Sequence, residues 1–198
     1  MGPNFAILDR TRIGLSDDVT LLGCTLHSYI PPESEEIVNS KVNDFTRIEN
    51  WKVVDHVAEH HRDVTWLKNE IESISREEGG AKRKLMVATH HSPSVKGTSK
   101  PSDEGSAWSS AFVTNLLQQG NRSPLDDVQW WIFGHTHYTT QLTKGKVKLV
   151  SNQRGYVFPN AKPRVMWEKP SVVARVKQRL GFDDEKRHAF DRDRVLYV

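Results

Sequence analysis

The sequence predicts a mixed α/β fold, and three observations point to it. Two short, continuous apolar runs, residues 85–88 and 128–133, have the character of strands buried on both faces. Leu67, Ile71 and Ile74 recur at helical spacing, with Glu70, Glu72 and Arg76 on the opposite side. Strand and helix signals alternate early in the chain, whereas strand signals cluster later.

Taken in order, residues 5–8 read as a strand with almost nothing before it. Residues 19–26 form a clearer one after the polar turn Ser16-Asp17-Asp18. Pro31-Pro32-Glu33-Ser34 is a loop, and residues 37–45 make a short helix. Asp63 stands as the N-cap of a helix reaching Ser75, and Gly79-Gly80 ends it. Residues 85–88 are the first buried strand, bounded by charge on one side and by His90-His91 on the other. The polar stretch 92–110 is a loop of about nineteen residues, a length that favours a functional or disordered segment. A helix is expected over 111–118 and the second buried strand over 128–133. Residues 139–142 and 147–151 form a hairpin turning at Lys144-Gly145. An amphipathic helix over 171–180, closed by Gly181, and a last strand over 195–198 complete the chain. No internal repeat is present.

Charge narrows the partners. The 28 Lys and Arg against 25 Asp and Glu leave a formal charge of +3, and the two signs are intermingled. The most basic stretch, residues 162–179, is interrupted by Glu168 and followed by Asp183, Asp184 and Glu185. That pattern reads as a solvated helix face, so no nucleic-acid partner is expected. Cys24 is the single cysteine, which excludes an intrachain disulfide, and its leucine neighbours predict a buried strand thiol. No apolar run approaches the roughly 18 residues of a membrane span, and no basic-then-apolar leader is visible. The expectation is a cytoplasmic protein without a membrane partner.

The chemistry concentrates in histidines after the two apolar strands. His90 follows the first; His135 and His137, in Gly134-His135-Thr136-His137, follow the second. Side chains at strand ends leave the packed core and converge on ligands. Gly134 is expected to let the chain turn tightly there. Two histidines at i and i+2 on extended backbone can reach two points a few ångströms apart, which suits a two-metal centre. Neutral imidazole is a good ligand for Zn, Fe or Mn, so this spacing does not choose the metal. His56 and His60, at i and i+4, and the neighbouring His61 read as exposed histidines, and Ser92, Ser109 and Ser110 lack the setting of a serine nucleophile.

Ala88-Thr-His-His-Ser-Pro93, Trp131-Ile-Phe-Gly-His-Thr-His-Tyr138 and Ser151-Asn-Gln-Arg-Gly-Tyr156 resemble three successive motifs of calcineurin-like metallophosphoesterases. The match is to the branch described as Ser/Thr-phosphatase superfamily proteins. Leu21-Leu-Gly-Cys-Thr-Leu26 and Trp66-Leu67 are similar to that branch too, so the resemblance spans about residues 5–160. At position 27 the family leads one to expect Trp, and His27 is read as a strand residue. The resemblance implies part of a four-layer α/β/β/α sandwich: residues 1–160 as the phosphoesterase domain and 161–198 as an extension. It implies two divalent ions, with His90 and His135 on one and His137 on the other, His91 being the alternative to His90. Asn152 and Arg154 would lie near the site, Arg154 facing a substrate phosphate or pairing with a nearby carboxylate.

The family's earlier motifs, Asp-x-His, Gly-Asp-x-x-Asp and Gly-Asn-His-Asp/Glu, do not occur in these 198 residues. They would supply the bridging carboxylate and the acid that assists the leaving group, whose loss commonly costs about 10²–10⁴ in rate. The sequence is therefore expected to represent a truncated gene model or splice form, impaired alone. Three functions stand at this level: binuclear hydrolysis of phosphomonoesters or diesters, a non-catalytic scaffold, and a mononuclear zinc hydrolase built on His90, His135 and His137.

Overall fold

The computed structural model describes residues 5–77, 83–117, 120, 122–155 and 190–198. Its centre is a six-stranded sheet with strands β1 (Thr11–Gly14), β2 (Val19–Cys24), β3 (Lys84–Thr89), β4 (Trp130–Ile132), β5 (Thr140–Lys144) and β6 (Val147–Ser151). Their spatial order is β1-β2-β3-β4-β6-β5. The four inner strands run parallel, and β1 and β5 pair antiparallel at the two edges. The parallel arrangement brings the ends of β2 and β3 and the loop after β4 to one edge, which is where the histidines lie.

Side chains alternate across the sheet with the two-residue period of extended backbone. Leu22 and Cys24 of β2, Leu85 and Val87 of β3, Trp131 of β4 and Leu149 of β6 point to one face. There they meet Leu67, Ile71 and Ile74 of a long helix, and this is the main core. Met86, Trp130 and Val150 point to the other face with Val19, Leu21 and Ile132. Leu196 packs on that second face, so the 190–198 segment lies against the sheet; it has no strand pairing. Asn152 fixes it by exchanging two hydrogen bonds with the Asp191 backbone, at 2.6 and 2.9 Å.

Two short helices, α1 (Glu35–Lys41) and α2 (Asp44–Arg47), replace the single one expected over 37–45. Val42 separates them, extended and buried with Ile30, Val38 and Val53. The long helix α3 (Val53–Glu77) starts ten residues before Asp63. Its buried residues are Val53, His56, His60, Asp63, Leu67, Ile71 and Ile74, one unbroken stripe at three- and four-residue spacing. The stripe is apolar in its second half and mostly polar in its first, which conceals the helix from a hydrophobic pattern. Asp63 is thus a mid-helix side chain, 1 % exposed, and not a cap.

Other expectations also change. Residues 5–8 form no strand: Phe5 is 85 % exposed, and Leu8 crosses over Gly23, where an added Cβ would come within 2.6 Å of it. The expected helix over 111–118 is instead a single turn, Ser109–Ala111, followed by extended Val113 bridging to Ser92. That bridge ties down one end of the 92–110 loop. The β5–β6 hairpin forms with Gly145 at φ 58° in its turn. The helix expected over 171–180 lies outside the described residues.

Candidate metal centre

The end of β3 delivers two adjacent imidazoles. The backbone N–H groups of His90 and His91 both donate to Thr25 O, at 3.1 and 3.2 Å, which anchors this turn to the segment leaving β2. Thr89 Oγ1 donates to His91 O at 2.8 Å and accepts from Trp131 Nε1 at 3.0 Å, so the buried indole of β4 helps set the His91 backbone. From the β4 side, Gly134 N–H donates to His90 O at 3.0 Å. Gly134 itself does not take a positive φ, and a Cβ there would meet only ordinary contacts. The tight turn expected at Gly134 is made by the next residue, since His135 has φ 65°.

That backbone places the His135 ring against both neighbours. It stacks on His91 with centroids 4.3 Å apart and planes 16° from parallel. Its Nδ1 lies 2.7 Å from His90 Nε2. One ligand nitrogen from each of His90, His91 and His135 falls within 4.8 Å of the other two. His91 is 3 % exposed, whereas His90 is open to solvent, so the group has a sealed back and an accessible front.

The protonation states fit a cation. Burial, reinforced by neighbouring imidazoles, pushes His135 down to about 4 and His91 well below its ordinary value. Burial also lowers His90, partly offset by the carboxylate of Asp44. All three rings are therefore neutral near pH 7 with lone pairs available, the form a metal requires. The buried His91 Nδ1 has no hydrogen-bond partner among the described residues. Three imidazoles around one point are a familiar donor set for zinc.

His137 stands apart from this group. It is exposed, has φ 50°, and its N–H donates to Gln153 Oε1 at 2.7 Å. Arg154 is exposed on the segment after β6, and the Asn152 amide is engaged with Asp191 rather than with the histidines. Two groups of residues escaped the sequence. Gln153 reaches Thr136 Oγ1 at 3.1 Å and exchanges contacts with Thr139, so one amide holds the loop that carries His135. Its signal in the sequence is its place inside the 151–156 motif, between Asn152 and Arg154.

The second group is a bank of further imidazoles behind the first. His27 is not on a strand: β2 ends at Cys24, and Leu26, at φ 53°, turns the chain. The His27 ring sits 4.9 Å from His56 and 5.8 Å from His91. His56 and His60, expected on the surface, are 2 % and 5 % exposed, while His61 is exposed. His56 Nε2 accepts from Ser28 N–H at 3.2 Å, so its proton resides on Nδ1, which has no partner. Asp63 closes the bank: its Oδ1 accepts from Arg10 at 2.8 Å, and its Oδ2 accepts from His27 N–H at 3.3 Å.

Cys24 is buried as expected, its thiol pushed up to about 12 by burial and then by the Asp63 charge. Among the described residues, no helix is long and apolar enough to cross a membrane. No family model and no solved structure matches the chain. The chain is similar to "Uncharacterized protein L509" of Acanthamoeba polyphaga mimivirus, at 26 % identity over 163 residues. The aligned region covers 78 % of this chain and 56 % of that protein, so the chain spans little more than half the length of the curated relative it matches.

Proposed function

We propose that the protein is a metal-dependent hydrolase of phosphoric esters whose own residues hold one divalent ion, on His90, His91 and His135. The observation that carries this reading is the convergence of three neutral imidazoles within 4.8 Å at the strand-end edge of a parallel sheet. It retains the metallophosphoesterase resemblance of the three motifs and revises its ligand set, with His91 joining His90 and His137 left outside. The six-stranded sheet is then one half of the four-layer sandwich.

A bound divalent ion would act on the phosphoryl group as a Lewis acid. The chain's own contribution is positional. His90 lies at the open front, His91 and His135 form the closed back, and the stacked rings keep bulk water from the rear of the group. No carboxylate joins the group among the described residues, which favours a single ion over a bridged pair.

The test is metal retention followed by turnover. Purified chain dialysed against Zn²⁺ or Mn²⁺ should keep about one ion per chain and hydrolyse a nitrophenyl phosphate or its diester. His135→Ala and His91→Ala should each lose both properties, and His137→Ala should retain the ion. Stoichiometric metal without turnover would reduce the protein to a metal-binding scaffold. No retention of any divalent metal ends the proposal.

A further inference from the structure

The charge at the histidine group decides what its open side can hold. His90, His91 and His135 bring three imidazoles, and no Asp, Glu or Cys of the described residues joins them. The backbone oxygens of the turn are already engaged. His90 O accepts from Gly134 N–H at 3.0 Å, His91 O accepts from Thr89 Oγ1 at 2.8 Å, and Thr25 O accepts from both histidine N–H groups.

The surroundings supply little negative charge. His27 and His56 stand against His91, and the Phe112 ring lies 4.9 Å from that of His135. Behind them, the Asp63 carboxylate is taken up by Arg10 and by the His27 N–H. The charge of Asp44, on α2, reaches His90 from outside the ligand set and offsets a divalent ion only in part. Arg154 follows the Gln153 that bonds Thr136 and the His137 N–H, and it adds a cation to the same edge. A divalent ion on three uncharged donors keeps its full charge of +2, beside aromatic rings that screen it less than bulk water does. Its open side, at the exposed His90, favours the ligand that returns that charge to zero.

We infer that the open side of this centre selects a phosphoryl dianion, so that the substrate class is the phosphomonoester and not the diester. A monoester carries close to two negative charges above its second ionisation at about pH 6, whereas a diester carries one. The dianion neutralises the ion, and the diester leaves a residual positive charge in the same place. The ester itself rests on the hydrolase reading. The preference between charges belongs to the ion and its three ligands, and it can be measured without turnover.

Phenylphosphonate and its monomethyl ester are suitable probes, since neither is a phosphoric ester and they differ by one charge. Calorimetry on the Zn²⁺-loaded full chain at about pH 8.5, where phenylphosphonate is a dianion, should show it binding about tenfold tighter than the ester. Chelator should remove that preference. His90→Asp, at an exposed position, keeps a ligand for the ion and adds one negative charge. In that variant the preference should fall to about threefold or less; the wild-type comparison decides alone if the variant loses its ion. Zinc retained with equal affinity for both probes, or an unchanged preference in zinc-loaded His90→Asp, overturns the inference and leaves the hydrolase reading standing. Dianion preference without turnover of any ester removes the hydrolase reading and leaves the charge selection. A chain that holds no ion removes both.

Discussion

Acidification should unfold this protein through its buried imidazoles, and His56 allows the size of the effect to be worked out. Its ring is 2 % exposed and its pKa is lowered to about 3, chiefly by burial and then by the neighbouring histidines. An unfolded histidine titrates near 6.5. Between those values the unfolded chain binds a proton that the folded chain refuses, so stability is full above about pH 6.5 and falls as the pH drops toward 3. Each pH unit in that window costs about 1.4 kcal/mol, so a shift from pH 7 to pH 5 removes about 2 kcal/mol through His56 alone. Against a typical total of roughly 5–15 kcal/mol that is a large share. His91 and His135 act in the same direction.

Urea unfolding followed by circular dichroism at the two pH values, in chelator, measures the loss. His56→Phe should be less stable at pH 7, because Ser28 N–H loses its acceptor. Its difference between pH 7 and pH 5 should nevertheless shrink by about 2 kcal/mol. In the wild type the His56 ring proton signal should not titrate above pH 5. A titration near 6.5, or an unchanged pH dependence in His56→Phe, would refute the reasoning.

Cys24 should resist thiol reagents at pH 8 in the folded protein and react at once in denaturant, because burial holds its thiol near 12; its labelling rate then reports opening of the sheet. Arg10→Ala should destabilise by about 3 kcal/mol in thermal or urea unfolding, since it leaves the buried Asp63 carboxylate without its cation. Gln153→Ala should lower metal affinity about 10–100-fold while leaving the stoichiometry unchanged, because it releases the loop carrying His135 without removing a ligand.

The inner strands β2, β3 and β4 and the hairpin are legible in the sequence because each obeys one rule: apolar runs after a polar turn or charge for β2, β3 and β4, a glycine turn between two strand segments for β5 and β6. The helix α3 was half legible. Leu67, Ile71 and Ile74 announce it, but Val53, His56, His60 and Asp63 continue the same buried stripe with side chains that a hydrophobic pattern counts as surface. The same substitution of imidazole for hydrocarbon hides the burial of His56 and His60 from the sequence. Residues 5–8 failed for a different reason: their apolar character serves the crossing of Leu8 over Gly23, a tertiary contact with no local signature. His90 and His135 could be found because each follows a strand directly. The sequence leaves His90 and His91 as alternatives and assigns His137 to a second ion; that both His90 and His91 meet His135 while His137 stands apart goes with positive φ at His135 and His137, which one sequence does not encode visibly.

What remains to be explained is why a small domain keeps so many buried imidazoles at one end. His56 and His91 each have a buried Nδ1 without a hydrogen-bond partner among the described residues, and each such group costs about 1–3 kcal/mol. At the same end, Leu26, His135 and His137 adopt positive φ, and for a branched residue such as Leu26 that conformation is a genuine outlier. Elsewhere the sheet is regular, with Leu22, Val87, Trp131 and Leu149 fully buried and apolar. A fold optimised only for stability would place leucine at position 56 and an unstrained residue at position 135. Unfavourable features gathered on one strand-end edge, with a rigid apolar body behind them, mark that edge as the part of the molecule shaped by binding rather than by packing.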